Sequence, residues 1–294
     1  MKIRLDVCMV NRGMTASREK AREKIISGNV SVNGAVVSKP GTMIPDDAEI
    51  AVTGDDGDFV GRGGRKLEKL LSLYKPSLEG LRCIDVGAST GGFTEAMLRR
   101  GASKVYAVDV GTDQLADTLR ADPRVVVMEH TDIRTVTADQ IGGTVDFAGI
   151  DVSFISLTMI MPCVANLLTP GAEIGCLIKP QFEAGRSHVG KKGVVKDPKV
   201  HAEVLRRVLE AAQAVGLHAM QLTDSPIRGQ NGNIEYLLYA VYEPETESAA
   251  PDMAANAELP EASQPSKRLA EQRRNHITAI DAERTVHEAF LHHR

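Results

Sequence analysis

Between Cys83 and Thr94 an apolar run ends on a carboxylate and turns through three glycines into a helical segment, Asp85-Val86-Gly87-Ala88-Ser89-Thr90-Gly91-Gly92-Phe93-Thr94. A strand that passes through a glycine loop into a helix opens a parallel α/β sheet, so this stretch constrains the fold more than any other. Glycine at 87 and 91 lets backbone approach a ligand with no Cβ in the way. Thr90 or Thr94 helps to start the helix, whose free N–H groups lie nearby. The loop reads as a nucleotide-cofactor site, with an ordinary glycine-rich turn as the alternative.

A dinucleotide fingerprint, Gly-x-Gly-x-x-Gly, needs glycine where this chain has Ser89, which disfavours NAD. Asp-x-Gly-x-Ser-x-Gly fits S-adenosylmethionine (SAM) better. That ligand has no pyrophosphate, and its amino-acid part and sulfonium suit an acidic strand end. The first loop therefore nominates Asp85, Gly87, Ala88, Ser89, Thr90, Gly91, Gly92 and Phe93 as cofactor contacts.

From Cys83 onward strands alternate with helices: 83–86 then 90–100, 105–108 then 113–120, 125–128, 147–150 then 157–168, 174–178, and 198–215. Alternation at this pitch predicts a mostly parallel sheet with helices on both faces. Asp197-Pro198 is a good helix entry, cap then first turn. The last pair, 218–223 and 234–242, has no helix between its members and closes the sheet as an antiparallel hairpin.

Polar residues fall at the strand ends, where ligands bind in open α/β sheets. Asp109 ends the second strand, beside Val110, and is suited to a ribose diol. Asp132 and Ile133 follow the third, with Asp132 suited to an adenine amino group. Asp151 ends the fourth and Lys179 the fifth, while Glu235 lies in the closing hairpin. Any one of these alone reads equally as a solvated strand end or a salt bridge.

Composition sets the outer limits. A chain of 294 residues has room for about two domains. The longest apolar stretch, 155–168, is interrupted by polar residues and falls short of the ~20 needed to span a bilayer. The charged start, Met1-Lys2-Ile3-Arg4-Leu5-Asp6, has no signal-peptide core, so a cytoplasmic location is expected. The four cysteines form no Cys-x-x-Cys pair and read as buried thiols, with no metal expected. Net charge is −4, unevenly spread: residues 1–45 carry eight Lys and Arg against three acids, and residues 243–263 carry only acids.

Residues 3–53 read as one compact unit. Helical spacing runs over 3–12 and 17–27, with Ser17 as N-cap and Gly28 as the stop. Strands 30–32 and 35–37 join at Asn33-Gly34, a strong hairpin signal, and 48–52 alternates as a last strand. Arg18, Lys20, Arg22 and Lys24 make a basic helix, either a solvated face or a surface for folded RNA. The segment resembles an S4 RNA-binding domain in Arg4-Leu5-Asp6-Val7, Ser17-Arg18-Glu19-Lys20-Ala21, Gly28 to Gly34 and Lys39-Pro40-Gly41.

Over roughly residues 2–242 the chain resembles the TlyA family of ribosomal RNA 2′-O-methyltransferases, some labelled haemolysins, which join an S4 domain to an FtsJ-like methyltransferase. The matching strings include Arg62 to Leu67, Asp85 to Thr94, Ala107 to Gly111, Ile150 to Leu157, Leu177 to Ala184 and Gly232 to Glu235. The resemblance implies a Rossmann-like, seven-stranded, mostly parallel sheet behind a small α+β S4 domain. It also implies a Lys-Asp-Lys-Glu set, carried here by Lys66, Asp151, Lys179 and Glu235, and a substrate in ribosomal RNA, typically a cytidine ribose.

The expected division is an S4-like domain at 1–57, a linker at 58–65, a methyltransferase domain at 66–243, and a linker with a basic tail at 244–294, largely disordered, in a monomer. Phe59 and Val60 dock on either domain. Expected RNA contacts are Arg4, Arg18, Lys20, Arg22 and Lys24, then Arg62 and Arg65, and Arg186, Lys191 and Lys192 in the loop 180–197, which is either a phosphate-gripping lid or a solvated crossover. The segment 228–232 either presents Glu235 or only turns the hairpin. Because a ribose hydroxyl is a poor nucleophile, Lys179 is expected nearest to it, poised by Asp151 and Glu235, with Lys66 orienting the nucleotide. A non-catalytic ribosome-assembly factor and a haemolysin are the competing readings.

Overall fold

A computed structural model describes residues 2–15, 17–26, 30–52, 59–244 and 281–293. The chain forms two compact units, Met1–Asp58 and Phe59–Arg294.

In the first unit, strand β1 (Lys2–Arg4) precedes helix α1 (Leu5–Asn11), so the helix expected from Ile3 starts two residues later. Helix α2 (Arg18–Ile26) is capped by Ser17, whose Oγ accepts from the Lys20 N–H; the expected stop at Gly28 lies outside the described residues. Strands β2 (Val30–Val32) and β3 (Ala35–Val36) form the hairpin, with φ of 49° at Asn33 and 80° at Gly34. Strand β4 (Met43–Pro45) pairs with β1, and β5 (Ile50–Val52) with β2, all antiparallel. Leu5, Met9, Ala21, Ile25 and Val30 fill the core.

Asp6 is fully buried in that unit. Arg4 grips it through two hydrogen bonds of 2.9 and 2.8 Å and Arg18 reaches it at 3.3 Å. The Arg4 bonds hold the Asp6 carboxyl down to about 2. Arg4 and Arg18 are thus fixed in place yet half-exposed, while Lys20 and Arg22 on α2 are exposed.

The second unit carries a seven-stranded sheet. Its strands are β6 (Arg82–Val86), β7 (Lys104–Val108), β8 (Val125–Met128), β9 (Val145–Ile150), β10 (Leu168–Ile178), β11 (Leu217–Asp224) and β12 (Tyr236–Tyr242). Their order is β11-β12-β10-β9-β6-β7-β8, parallel except for β12, which runs antiparallel to β10 and β11. Helices α3 (Gly63–Tyr74), α4 (Gly92–Arg99), α5 (Asp117–Arg120), α6 (Leu157–Ala165), α7 (Pro180–Glu183) and α8 (Pro198–Ala214) connect or cover the strands. Asp197 caps α8 by accepting from the Lys199 N–H. One apolar cluster, with Ile84, Ile150, Ile160, Ile174 and Leu205, lies apart from a second built on Leu67, Leu71, Phe93, Met97 and Phe147.

Within the stretch expected as a linker, 58–65, Phe59 and Val60 dock on the second unit: the Val60 N–H donates to Glu95 at 2.6 Å, Arg99 lies 4.3 Å over the Phe59 ring, and α3 begins at Gly63. The described end of the tail is helical. Helix α9 (Ala282–His292) buries Ala282, Val286 and Ala289 against the cluster that holds α8, and His293 reaches the Ser225 carbonyl at 3.2 Å. Asp281 caps it, accepting from the N–H groups of Glu283 and Arg284. Residues 245–280, which hold most of the expected linker, lie outside the described residues.

Candidate active site

The glycine loop after β6 is built from beneath. Asp85 is fully buried, and one oxygen accepts from both the N–H of Thr94 (2.8 Å) and its hydroxyl (2.6 Å). The strand end therefore holds the first turn of α4, a task expected of Thr90 or Thr94. The other oxygen, Oδ1, is buried with no hydrogen-bond partner among the described residues. Burial pushes the Asp85 carboxyl up to about 7, helped by the charges of Asp151 and Asp109. Asp85, nominated as a cofactor contact, lies buried beneath the loop.

Above it Gly87 takes φ of 87°, and a Cβ there would lie 2.6 Å from the Asp151 carbonyl oxygen. Ser89 stands in the left-handed region at φ 47°, held by its N–H to Asp109 Oδ2 at 2.7 Å. Asp109 Oδ1 accepts from the Gly111 N–H at 2.7 Å, which leaves each carboxylate oxygen a free acceptor site. Ser89 and Thr90 are exposed, as is Val110 at 72%, whereas Ala88, Gly91, Gly92, Phe93 and Ile133 are buried. Asp132 is paired at 2.6 Å with Arg134, whose hydrogen bonds hold its carboxyl below the usual range.

The polar strand ends meet at the same edge of the sheet. Ile178 pairs with Tyr236 across β10 and β12, so Lys179 and Glu235 are the next positions on adjacent strands; β9, ending before Asp151, lies on the other side of β10. Lys179 Nζ sits 2.6 Å from Asp151 and donates to Ser153 Oγ at 2.9 Å. Lys66, from the first turn of α3, donates to Glu235 Oε2 at 2.6 Å, and Gln181 Nε2 donates to Glu235 Oε1 at 3.0 Å. The side chains of Lys66 and Glu235 are 9% and 3% exposed, those of Lys179 and Asp151 11% and 17%. A Cβ on Gly63 would lie 3.3 Å from Asp151 Oδ2, so the start of α3 abuts the second pair. Ion pairs this dry, side by side, can polarise and deprotonate a hydroxyl.

The sequence profile of the FtsJ-like methyltransferases matches residues 59–242 and that of the S4 domain matches residues 3–50. The chain belongs to the FtsJ-like methyltransferase family. Among its relatives, YqxC of Bacillus subtilis, named as a candidate rRNA methyltransferase, is 51% identical over 81% of this chain and 85% of its own. The 16S/23S rRNA (cytidine-2′-O)-methyltransferase TlyA of Mycobacterium tuberculosis is 44% identical over 81% of this chain and 89% of its own. A solved structure from Streptococcus thermophilus, described as a candidate hemolysin, superposes with a TM-score of 0.68 at 38% identity, covering 99% of this chain and 96% of that one.

Within this FtsJ-like methyltransferase all four expected residues converge; Asp151 holds Lys179 as expected, whereas Glu235, expected on Lys179, binds Lys66 instead. Glu235 binds Lys66 and Gln181, and Lys179 is held by Asp151 and Ser153. Ser153 and Gln181 were not singled out from the sequence, although each lies two residues past a member of the set. Arg62 donates to the Arg228 carbonyl at 2.8 Å, tying α3 to the loop that precedes Glu235; Arg65, Arg186, Lys191 and Lys192 are exposed. That loop does more than turn: Gly229 packs against the Glu235 carboxylate, where a Cβ would overlap it.

Proposed function

We propose that the protein transfers a methyl group from SAM to a ribose 2′-hydroxyl of ribosomal RNA, at a cytidine. The observation that carries this reading is the meeting of two nearly dry lysine–carboxylate pairs, Lys66–Glu235 and Lys179–Asp151, at the sheet edge that bears the glycine loop. The names of the TlyA and YqxC relatives favour ribosomal RNA, and that of TlyA favours the cytidine ribose.

The residues fit SAM. Gly87, at a φ of 87°, lets the loop turn tightly against the Asp151 backbone, Asp109 keeps acceptor sites for a ribose diol, and Val110 offers an apolar edge for a base. When bound, SAM supplies an electrophilic methyl on a sulfonium. Lys179, steadied by Asp151 and Ser153, faces the 2′-hydroxyl, and the Lys179–Asp151 pair takes up its proton as the oxygen attacks. Lys66, locked by Glu235, orients the nucleotide and favours negative charge on that oxygen. Arg62, Arg65, Arg186, Lys191 and Lys192 line the rim for phosphates, and the basic face with Arg4, Arg18, Lys20, Arg22 and Lys24 binds folded RNA at its backbone.

Incubation with ribosomal subunits and labelled SAM places the label on a 2′-oxygen. Lys179→Ala lowers that rate by ~10²–10⁴-fold while SAM affinity stays within a few-fold. Label on a base overturns the reaction class, and full activity in Lys179→Ala overturns the assignment. An RNA-binding factor without turnover binds subunits in the same assay and transfers nothing. For the haemolysin reading, no helix among the described residues is long and apolar enough to cross a membrane.

A further inference from the structure

Glu235 receives one hydrogen bond on each oxygen, and the two donors differ in kind. Oε2 takes the charged Lys66 ammonium at 2.6 Å and Oε1 takes the neutral Gln181 amide at 3.0 Å. Gly229 closes the remaining side of Oε1, and Glu235 as a whole is 2% exposed. A carboxylate held by a single ammonium can still rotate about its terminal bond. With a second donor on the other oxygen it cannot, and the direction of the Lys66 ammonium is fixed with it.

The Gln181 amide has only one workable orientation. Turned over, it would set its carbonyl oxygen against Glu235 Oε1, acceptor against acceptor. In the observed orientation the carbonyl oxygen, Oε1, is buried without a hydrogen-bond partner among the described residues. Such an orphan costs stability and is uncommon in a native core. Methionine, of similar length, would leave no orphan. The backbone puts the side chain in place: Pro180 opens α7 right after Lys179, and that single turn brings Gln181 back toward β12.

Building on the proposed role of the Lys66–Glu235 pair, we infer that Gln181 is a positioning residue for methyl transfer: its neutral amide locks the Glu235 carboxylate so that Lys66 is aimed at the reacting oxygen. The donor is neutral for a physical reason. A second cation on Glu235 would compete with Lys66 for the same charge, whereas an amide fixes geometry and leaves the ion pair intact. Two variants separate this role from packing. Gln181→Met keeps the length and removes both polar atoms. Gln181→Glu is nearly isosteric and makes two buried carboxyls face each other, which raises the apparent pKa of the pair because both cannot ionise cheaply. Below that value one shared proton restores an O–H donor to Glu235; above it the two charges repel and the lock is lost.

The test uses the full chain with ribosomal subunits and labelled SAM, measuring kcat and KM from pH 6 to 9, with SAM affinity by calorimetry and folding by thermal melting. Gln181→Met should lower kcat by ~10–100-fold with both KM values and SAM affinity within about two-fold. Gln181→Glu should recover at acid pH, with a variant-to-wild-type kcat ratio at least about ten-fold higher at pH 6 than at pH 9. A flat ratio across pH, or a kcat for folded Gln181→Met equal to wild type, overturns the role of Gln181. If either variant fails to fold, the other decides alone. A wild-type protein that binds SAM yet transfers no methyl to RNA overturns the underlying reaction instead, so the two failures are distinct.

Discussion

Asp85 is a carboxylate held out of water. It is fully buried, one oxygen is committed to Thr94, and the other has no partner among the described residues. Its carboxyl is pushed up to about 7 from an ordinary 3.8, because burial penalises the charged form more than the Thr94 bonds favour it. A folded-state pKa above the unfolded one gives stability that is complete below the unfolded value and is lost as pH rises through the folded one. The cofactor-free protein should therefore lose stability between about pH 4 and 7, at a limiting ~1.4 kcal/mol per pH unit from this group. Asn at 85 keeps an acceptor for Thr94 and carries no charge. Urea midpoints of Asp85→Asn should exceed those of wild type at pH 8 and approach them at pH 5. Curves that stay parallel across that range would show that Asp85 does not titrate there.

At the scale of elements, strand ends and the Lys179–Asp151 pairing were legible in the sequence, and the Lys66–Glu235 pairing was not. Val105–Val108 and Val125–Met128 are short apolar runs bounded by polar residues, and each forms the strand expected. Lys66, Asp151, Lys179 and Glu235 come from four separate segments, so motif strings marked them while only the sheet register decided that Glu235 faces Lys66. Helix α3 was hidden because Gly61-Arg62-Gly63-Gly64 reads as a turn. Leu67, Leu70 and Leu71 bury one face of it in the second core cluster, and those contacts outweigh the weak local propensity. The docking of helix α9 could not be read from the chain, because Ala282, Val286 and Ala289 are a sparse apolar face whose partner, α8, lies far back in the sequence.

The same glycines explain how α3 reaches the cofactor loop. A Cβ on Gly92 would lie 2.6 Å from the Gly64 nitrogen and 3.0 Å from the Gly61 carbonyl oxygen, both backbone atoms that cannot step aside alone. Gly92→Ala should push α3 away from α4 and take Lys66 with it, at a cost of ~1–3 kcal/mol in stability. Calorimetry should show SAM affinity reduced by about ten-fold or more, together with a lower melting temperature. Unchanged affinity and melting would mean that the two backbones are not in contact in solution.

For the whole molecule, the question is how a chain of net charge −4 holds a polyanion. Its answer is segregation: residues 1–45 carry a difference of +5 (eight basic less three acidic), and the basic side chains of α2 point outward while Asp6 anchors Arg4 and Arg18 from inside. Local potential, not the sum, governs attraction to phosphates. If this unit binds RNA through its backbone, the cost of losing it should depend on salt and not on the cofactor. A chain lacking residues 1–58 should bind SAM as the full chain does, because the described cofactor loop and both ion pairs lie at or beyond Lys66. Its affinity for ribosomal RNA should fall, and the slope of log K against log salt should become shallower. In the full chain, Lys20→Ala with Arg22→Ala should reduce that slope by ~0.7–0.9 for each phosphate contact removed, with kcat at saturating RNA unchanged. A binding series from about 50 to 200 mM salt reads this directly. Equal slopes with and without the pair would place the RNA contacts elsewhere, on the rim formed by Arg62, Arg65, Arg186, Lys191 and Lys192, whose removal would then raise KM and make the salt dependence shallower.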